Sequence, residues 1–318
     1  MNMDIEVPQP IQNLSISVDQ QLPPMLRTPA NERAAEFYFS DQLSAFLNAE
    51  QRAMWLRWKP APRPNFNPAL LGDLSRYCHF VAHSEGRVQT DEDQMEFDYA
   101  VLASGVDGVF NLGGDLNLFM KLIQSQDHKS LLSYGQACIN VLYRNYISHG
   151  LPITTISLVQ GECLGGGFEA ALSSDVLIAE RSARFGFPEI LFNLFPGMGA
   201  YSFLERKIGR RQTEALIASG KVYSANDMLD LGVVDVVADD ERGEEEVATY
   251  IQSRRRNRNG LAGLAAARRC VHKLEYEELH DVVKSWVDSA LRLSSRDLKL
   301  MQRLVSRQNE LPVIREVH

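Results

Sequence analysis

The chain has 318 residues, 33 of them basic and 41 acidic, and a formal net charge of −8, which argues against a nucleic-acid binder held by phosphate neutralisation. A content of 45% hydrophobic and 23% charged residues describes a globular core with a solvated surface and excludes disorder over most of the length. No run of about 18 apolar residues occurs, and the opening MNMDIEVPQP lacks a basic stretch followed by an apolar one, so neither a membrane span nor a secretory leader is expected and a cytoplasmic protein is the simplest reading.

Residues 1–30 carry Pro8, Pro10, Pro23, Pro24 and Pro29 with little apolar periodicity, which predicts an extended or poorly ordered arm. In 31–58, Phe39, Leu43, Phe46 and Leu47 recur at helical spacing, and the pattern predicts a helix. Pro60, Pro62, Pro64 and Pro68 then break the chain, a second helix is predicted over 68–84, and 85–95 reads as a polar, acidic loop. From 97 the pattern changes. Strands are predicted at 97–104, 109–115, 153–161 and 175–180, and helices at 116–124, 129–148 and 165–174. Alternation of strand, turn and helix predicts an α/β layer architecture. Beyond about 200 the chain reads as mostly helical, and 273–309 sets Val283, Trp286, Val287, Ala290, Leu293, Met301 and Leu304 on apolar helix faces. Four regions follow: an arm at 1–30, a helical, Pro-interrupted region at 31–96, a core at 97–245 and a helical region at 246–318.

Two glycine clusters, Gly113-Gly114 and Gly165-Gly166-Gly167, each stand where a strand gives way to a helix. Free N–H groups and a partial positive charge gather at helix N-termini, and glycine lets a ligand approach that backbone closely. Two such turns facing each other would aim two donors at one oxygen, an oxyanion hole for a thioester carbonyl. Either cluster alone is equally well a tight turn. Glu169 follows the second cluster in the first turn of its helix, and Glu189 lies in the apolar segment FGFPEILF. Carboxyls in different surroundings can divide acid and base roles. Taken singly, each is equally a helix-terminus or ion-pair residue.

Together these pieces resemble a known pattern. GECLGGGFEAALSSDVLIAERSARFGFPEILFNLFPGMGAYSFLERKIGR (161–210), preceded by VFNLGGDL (109–116) and followed by GKVYSANDMLDLGVVDVV (220–237), is similar to the signature of the crotonase (enoyl-CoA hydratase/isomerase) superfamily, over roughly 97–310. The resemblance implies an α/β fold, a crotonase-like spiral of ββα units with a helical C-terminal region. It places the oxyanion donors at Gly114 and Gly166 and the acid/base positions at Glu169 and Glu189. Family members begin with two strands, so the helical reading of 31–84 sets this chain apart. Within the superfamily, PEILFNLFPGMGAYSF (188–203) resembles the branch that makes diffusible signal factors, cis-2-unsaturated fatty acids. That branch dehydrates 3-hydroxyacyl chains on acyl carrier protein and releases the free acid, combining lyase and thioesterase chemistry. The alternative is a plain enoyl-CoA hydratase or isomerase acting on coenzyme A thioesters. The resemblance implies a trimer or hexamer, no metal or redox cofactor, and as partners the acyl carrier and a regulatory sensor protein.

An acyl chain must leave water, gaining about 0.8 kcal/mol per buried CH₂. Leu191, Leu194, Phe195, Met198 and Tyr201, directly after Glu189, are therefore expected to line its tunnel, with Ile190, Phe192 and residues of 116–123. Arg206, Lys207, Arg210 and Arg211, and Arg254 to Arg256 with Arg258, read either as solvated helix faces or as a dock for an acidic or phosphate-bearing carrier. Cys78, Cys138, Cys163 and Cys270 lie far apart with no CxxC spacing, which disfavours a zinc site or disulfide framework; Cys163 reads as a small packing residue. His149, before the Gly150-Leu151-Pro152 turn, reads as a surface residue.

Overall fold

The computed structural model describes residues 25–27, 34–89 and 94–310. The arm expected over 1–30 lies outside them except for a short strand, β1 (Met25–Arg27). Next come β2 (Ala34–Ser40), β3 (Leu43–Asn48) and β4 (Ala53–Trp58), an antiparallel meander where the spacing predicts a helix. The burial shows why. Ala35, Phe37 and Phe39, then Leu43, Ala45 and Leu47, are buried in alternation, the period of a strand. Phe39, Leu43, Phe46 and Leu47 match helical spacing only because the turn at Asp41 and Gln42 separates two period-two runs. Phe46 lies on the opposite face, stacked on Trp55 at 5.9 Å.

Asn67 caps α1 (Pro68–His83) by accepting the Leu70 N–H, and Pro68 fills the first helical position. Instead of a loop, 85–95 contains an antiparallel ribbon of β5 (Arg87–Gln89) and β6 (Gln94–Glu96). A repeating unit then sets in. The first turn comprises β7 (Tyr99–Ser104), β8 (Val109–Asn111), α2 (Leu116–Gln124) and α3 (His128–Tyr146). The second comprises β9 (Thr154–Val159), β10 (Glu162–Leu164) and α4 (Gly166–Leu172). The third comprises β11 (Val176–Glu180), β12 (Arg184–Gly186) and α5 (Ala200–Ser219). After it come β13 (Val222–Ser224), α6 (Ala225–Asp230), β14 (Val236–Ala238), α7 (Gly243–Arg254), α8 (Arg258–Val271), α9 (Tyr276–Leu291) and α10 (Ser295–Glu310).

Each turn gives its first strand to an eight-stranded sheet, ordered β1-β2-β3-β4-β7-β9-β11-β14, and its second to a four-stranded sheet, ordered β13-β12-β10-β8. This is the ββα spiral. β4, β7, β9, β11 and β14 run parallel, and the near-continuous apolar runs of β7 and β11 suit strands covered on both faces. One face packs Trp55, Val101, Ile156, Leu158 and Ile178 against Val247 and Ile251 of α7; the other looks into the main core. Because β4 pairs with β7, 34–58 is continuous with the spiral.

At the C-terminal end, α9 packs on α3, and α10 packs on α2 and on the 188–192 turn. By contrast α8 buries no side chain; Arg258 pairs with Asp98, and Arg268 and Arg269 pair with Asp175. No described helix is long and apolar enough to cross a membrane. His149, expected at the surface, is 3% exposed. A left-handed backbone at φ 56° tucks its ring edge-on against Tyr77 of α1, at 6.0 Å. Burial pushes its pKa down to about 3, so the ring is neutral.

Candidate active site

β8 and β10 are parallel neighbours, with Asn111 opposite Cys163, so the glycine turns that follow them lie side by side. Gly113 has φ +93°, and a Cβ there would stand 2.8 Å from the Gly166 nitrogen. Gly165 has φ +52°, and a Cβ there would stand 2.6 Å from Glu189 Oε1. Only glycine meets both demands at each position. In the first turn the Gly113 N–H donates to Asn111 Oδ1 at 2.8 Å, and the Asp115 N–H donates to the Tyr134 hydroxyl at 3.3 Å. Among the described residues no acceptor pairs with the N–H of Gly114 or of Gly166. Gly166 opens α4, where the helix dipole adds positive potential. A Cβ on Gly166 would lie 3.3 Å from Gly113 Cα and 3.5 Å from the Gly114 nitrogen, so the two free amides border one spot. Two unpaired amides this close could donate to one oxygen, as an oxyanion hole does.

The carboxyls face the same space. Glu169 is 2% exposed, and its Oε1 accepts the Met198 N–H at 2.8 Å and the Ala200 N–H at 3.0 Å; the 196–199 turn wraps around it. Burial pushes its pKa up to about 7 against the lowering pull of those two amides. Glu189 opens a 3₁₀ turn, Pro188–Phe192. Its Oε2 is sealed from solvent with no hydrogen-bond partner. Burial, and then the charge of Glu169, push its pKa up to about 8. The charge of Glu169 disfavours ionisation of Glu189, so Glu189 is the carboxyl that keeps its proton to higher pH.

Both glutamates, Gly114 and Gly166 border one cavity of about 470 Å³. Of the residues expected along an acyl tunnel, Leu191, Leu194 and Met198 line it, as do Phe192, Leu116 and Phe119. Phe195 and Tyr201 do not. Phe195 is half-buried against the core. Tyr201 is 38% exposed and donates to Glu214 Oε1 at 3.0 Å. The helix α5 starts at Ala200, and its first turn sends Ser202, Phe203 and Leu204 inward, leaving Tyr201 on the outer face. Ile190 is likewise exposed. The sequence gives no local sign of the remaining wall: Phe66, Leu71 and Leu74 at α1, and Cys138 and Leu142 of α3. Trp286 of α9 and Leu304 of α10 also border the cavity; their apolar helix faces are legible, their destination is not. Cys163 is fully buried packing.

The basic islands are largely engaged within the chain. Arg206 pairs with Glu278 at 2.7 Å and donates to the Lys273 carbonyl. Lys207 lies 3.9 Å from Asp235, and Arg210 pairs with Glu214 at 3.0 Å. Arg254 lies over the ring of Tyr250, and Arg255 donates to the Glu50 carbonyl.

The family profile described as enoyl-CoA hydratase/isomerase matches residues 88–284. Among solved structures, the chain is similar to an enoyl-CoA hydratase from Bacillus halodurans, at 20% identity and a TM-score of 0.67, over 83% of this chain and 100% of that one. It is similar to human mitochondrial delta3-delta2-enoyl-CoA isomerase at 20% identity and a TM-score of 0.67, over 85% and 99%. These likenesses carry the fold; the family match covers well over half of the sequence, and the chain belongs to the enoyl-CoA hydratase/isomerase family.

Proposed function

We propose that the protein interconverts a 2-enoyl thioester and its 3-hydroxyacyl thioester by adding or removing water. The observation that carries this reading is the meeting of two buried carboxyls and two free amides on one largely apolar cavity. The thioester oxygen accepts from the N–H groups of Gly114 and Gly166. In hydration, ionised Glu169, held through Oε1 by the Met198 and Ala200 amides, takes a proton from water as the water oxygen bonds to Cβ. Protonated Glu189 gives its proton to Cα, and the enolate charge that builds between these steps rests on the two amides. In dehydration Glu189 takes the Cα proton and Glu169 gives its proton to the leaving hydroxyl. The pair holds one proton in either direction, Glu169 ionised and Glu189 protonated before hydration and the reverse after it.

A second reading adds thioester cleavage. The segment 188–203 resembles the signal-factor branch, and the same two amides would stabilise the tetrahedral oxyanion when water attacks the thioester carbonyl. The product would be a free cis-2-enoic acid, and the carrier an acyl carrier protein. The experiment supplies 3-hydroxydodecanoyl chains on carrier protein and on coenzyme A and identifies the products. Reversible formation of trans-2-dodecenoyl-CoA without free acid supports the hydratase. Free cis-2-dodecenoic acid, released faster from the carrier protein, supports the second reading. Neither product from either carrier rejects both.

A further inference from the structure

We infer that Tyr134, with Asn111, is a positioning residue for the oxyanion hole: these two side chains bind the amides on either side of Gly114 and so leave that one N–H aimed at the substrate. The inference rests on the hydratase reading of the site. Tyr134 stands on α3, 1% exposed. Its hydroxyl donates to the Phe66 carbonyl and accepts the Asp115 N–H at 3.3 Å. The Phe66 N–H in turn donates to the Gly113 carbonyl at 2.8 Å. One hydroxyl therefore closes a ring of hydrogen bonds around the Gly113–Asp115 turn. On the other side Asn111 Oδ1 accepts the Gly113 N–H at 2.8 Å. Of three consecutive amides, the outer two are tied and the middle one is free.

The ring of Tyr134 is itself fixed. Phe119 meets it edge-on at 4.9 Å, and Trp286 meets Phe119 at 5.1 Å. Phenylalanine could supply that packing equally well. What it lacks is the hydroxyl that bridges Phe66 and Asp115. An oxyanion hole acts because its dipoles are in place before charge develops. A turn released on one side can rotate its peptides, and the Gly114 N–H then leaves the line to the thioester oxygen. The loss falls on the charged state and spares the binding of the acyl chain.

The test compares wild type with Tyr134→Phe, and with Asn111→Ala as a second variant. Two ligands separate the hole from the cavity. S-dodecyl-CoA is a thioether with no carbonyl oxygen and reports the cavity alone. 3-Oxododecanoyl-CoA has no double bond to hydrate, and its enolate, detected by near-ultraviolet absorbance, reports the hole. Both variants are expected to lower kcat by about tenfold to hundredfold with KM little changed, below the loss typical of deleting a donor outright. Enolate absorbance should fall in parallel, while S-dodecyl-CoA binds within about twofold of wild type. Tyr134→Phe with full enolate absorbance and full kcat overturns the inference and leaves the hydratase reading standing. Equal weakening of both ligands also overturns it, because that is the mark of a residue that only shapes the cavity. A wild-type protein that neither hydrates an enoyl thioester nor forms the enolate overturns the hydratase reading and this inference with it.

Discussion

The two walls of the cavity are built to opposite rules. On the glycine wall, the side chains of Asn111 on β8 and Tyr134 on α3 and the backbone of Phe66 tie the 113–115 turn, and among the described residues the N–H groups of Gly114 and Gly166 are left without an acceptor. On the carboxyl wall, two acids are buried with too few partners: Glu169 has two backbone amides, and Glu189 Oε2 has none. The first wall gains by standing still, because fixed dipoles need no reorganisation when charge appears. The second, with the pKa of both carboxyls brought near neutral, is suited to take and give a proton at neutral pH. On the proposed reading, rigidity and proton exchange fall to different elements of one site.

Breaking the carboxyl wall should cost most. Glu169→Gln and Glu189→Gln are each expected to cut turnover by roughly 10²–10⁴-fold with the circular dichroism spectrum unchanged; a variant that keeps near wild-type kcat removes that residue from the mechanism. Breaking the glycine wall comes next. The first carbon of a side chain at Gly166 would already stand 3.5 Å from the Gly114 nitrogen, so Gly166→Val should remain soluble and lose about 10²–10³-fold in kcat.

A smaller effect separates the walls by pH. Burial raises both carboxyls above their ordinary value of 4.5, to about 7 and about 8. Folding therefore binds protons, and the stability linked to them is complete below about 4.5 and is lost as pH rises through 7 to 8. Glu189→Gln cannot ionise, so it should raise the melting temperature clearly at about pH 8.5 and little at about pH 5. Scanning calorimetry at both values checks this, and an equal shift at both would mean that folding does not raise the pKa of Glu189. The smallest effect is expected outside both walls: Tyr201→Phe, which removes only a surface hydrogen bond to Glu214, should leave kcat and KM within about twofold, a size usual for exposed positions.

The site's chemical groups were legible through the resemblance to a known family, which rests on short segments; residue chemistry alone left each of them open to a structural reading. Gly114, Gly166, Glu169 and Glu189 all border the cavity, and the strand–turn–helix alternation of 97–180 matches the ββα spiral. Other features depend on distant parts of the chain. Phe39, Leu43, Phe46 and Leu47 satisfy helical spacing as well as two strands joined by a turn, and pairing of β3 with β4, which itself pairs with β7, decides for strands. Met198 and Tyr201 are three residues apart, yet a helix begins between them and turns the tyrosine outward. His149 lies beneath α1, nearly seventy residues earlier, and nothing local shows that it is covered. The apolar end of the cavity comes from α1, α3, α9 and α10, helices whose faces read simply as core.

The account's central claim is that Glu169 exchanges a proton with water and Glu189 one with Cα while the amide pair holds the enolate. The most direct measurement is mass spectrometry of the product formed from trans-2-dodecenoyl-CoA in deuterium oxide by wild type, Glu169→Gln and Glu189→Gln. The account predicts a 3-hydroxydodecanoyl thioester carrying one carbon-bound deuteron at Cα from wild type and almost none from either variant. Enoyl thioester recovered from wild type with neither water nor deuterium added, or product formed by either variant at the wild-type rate, would contradict it.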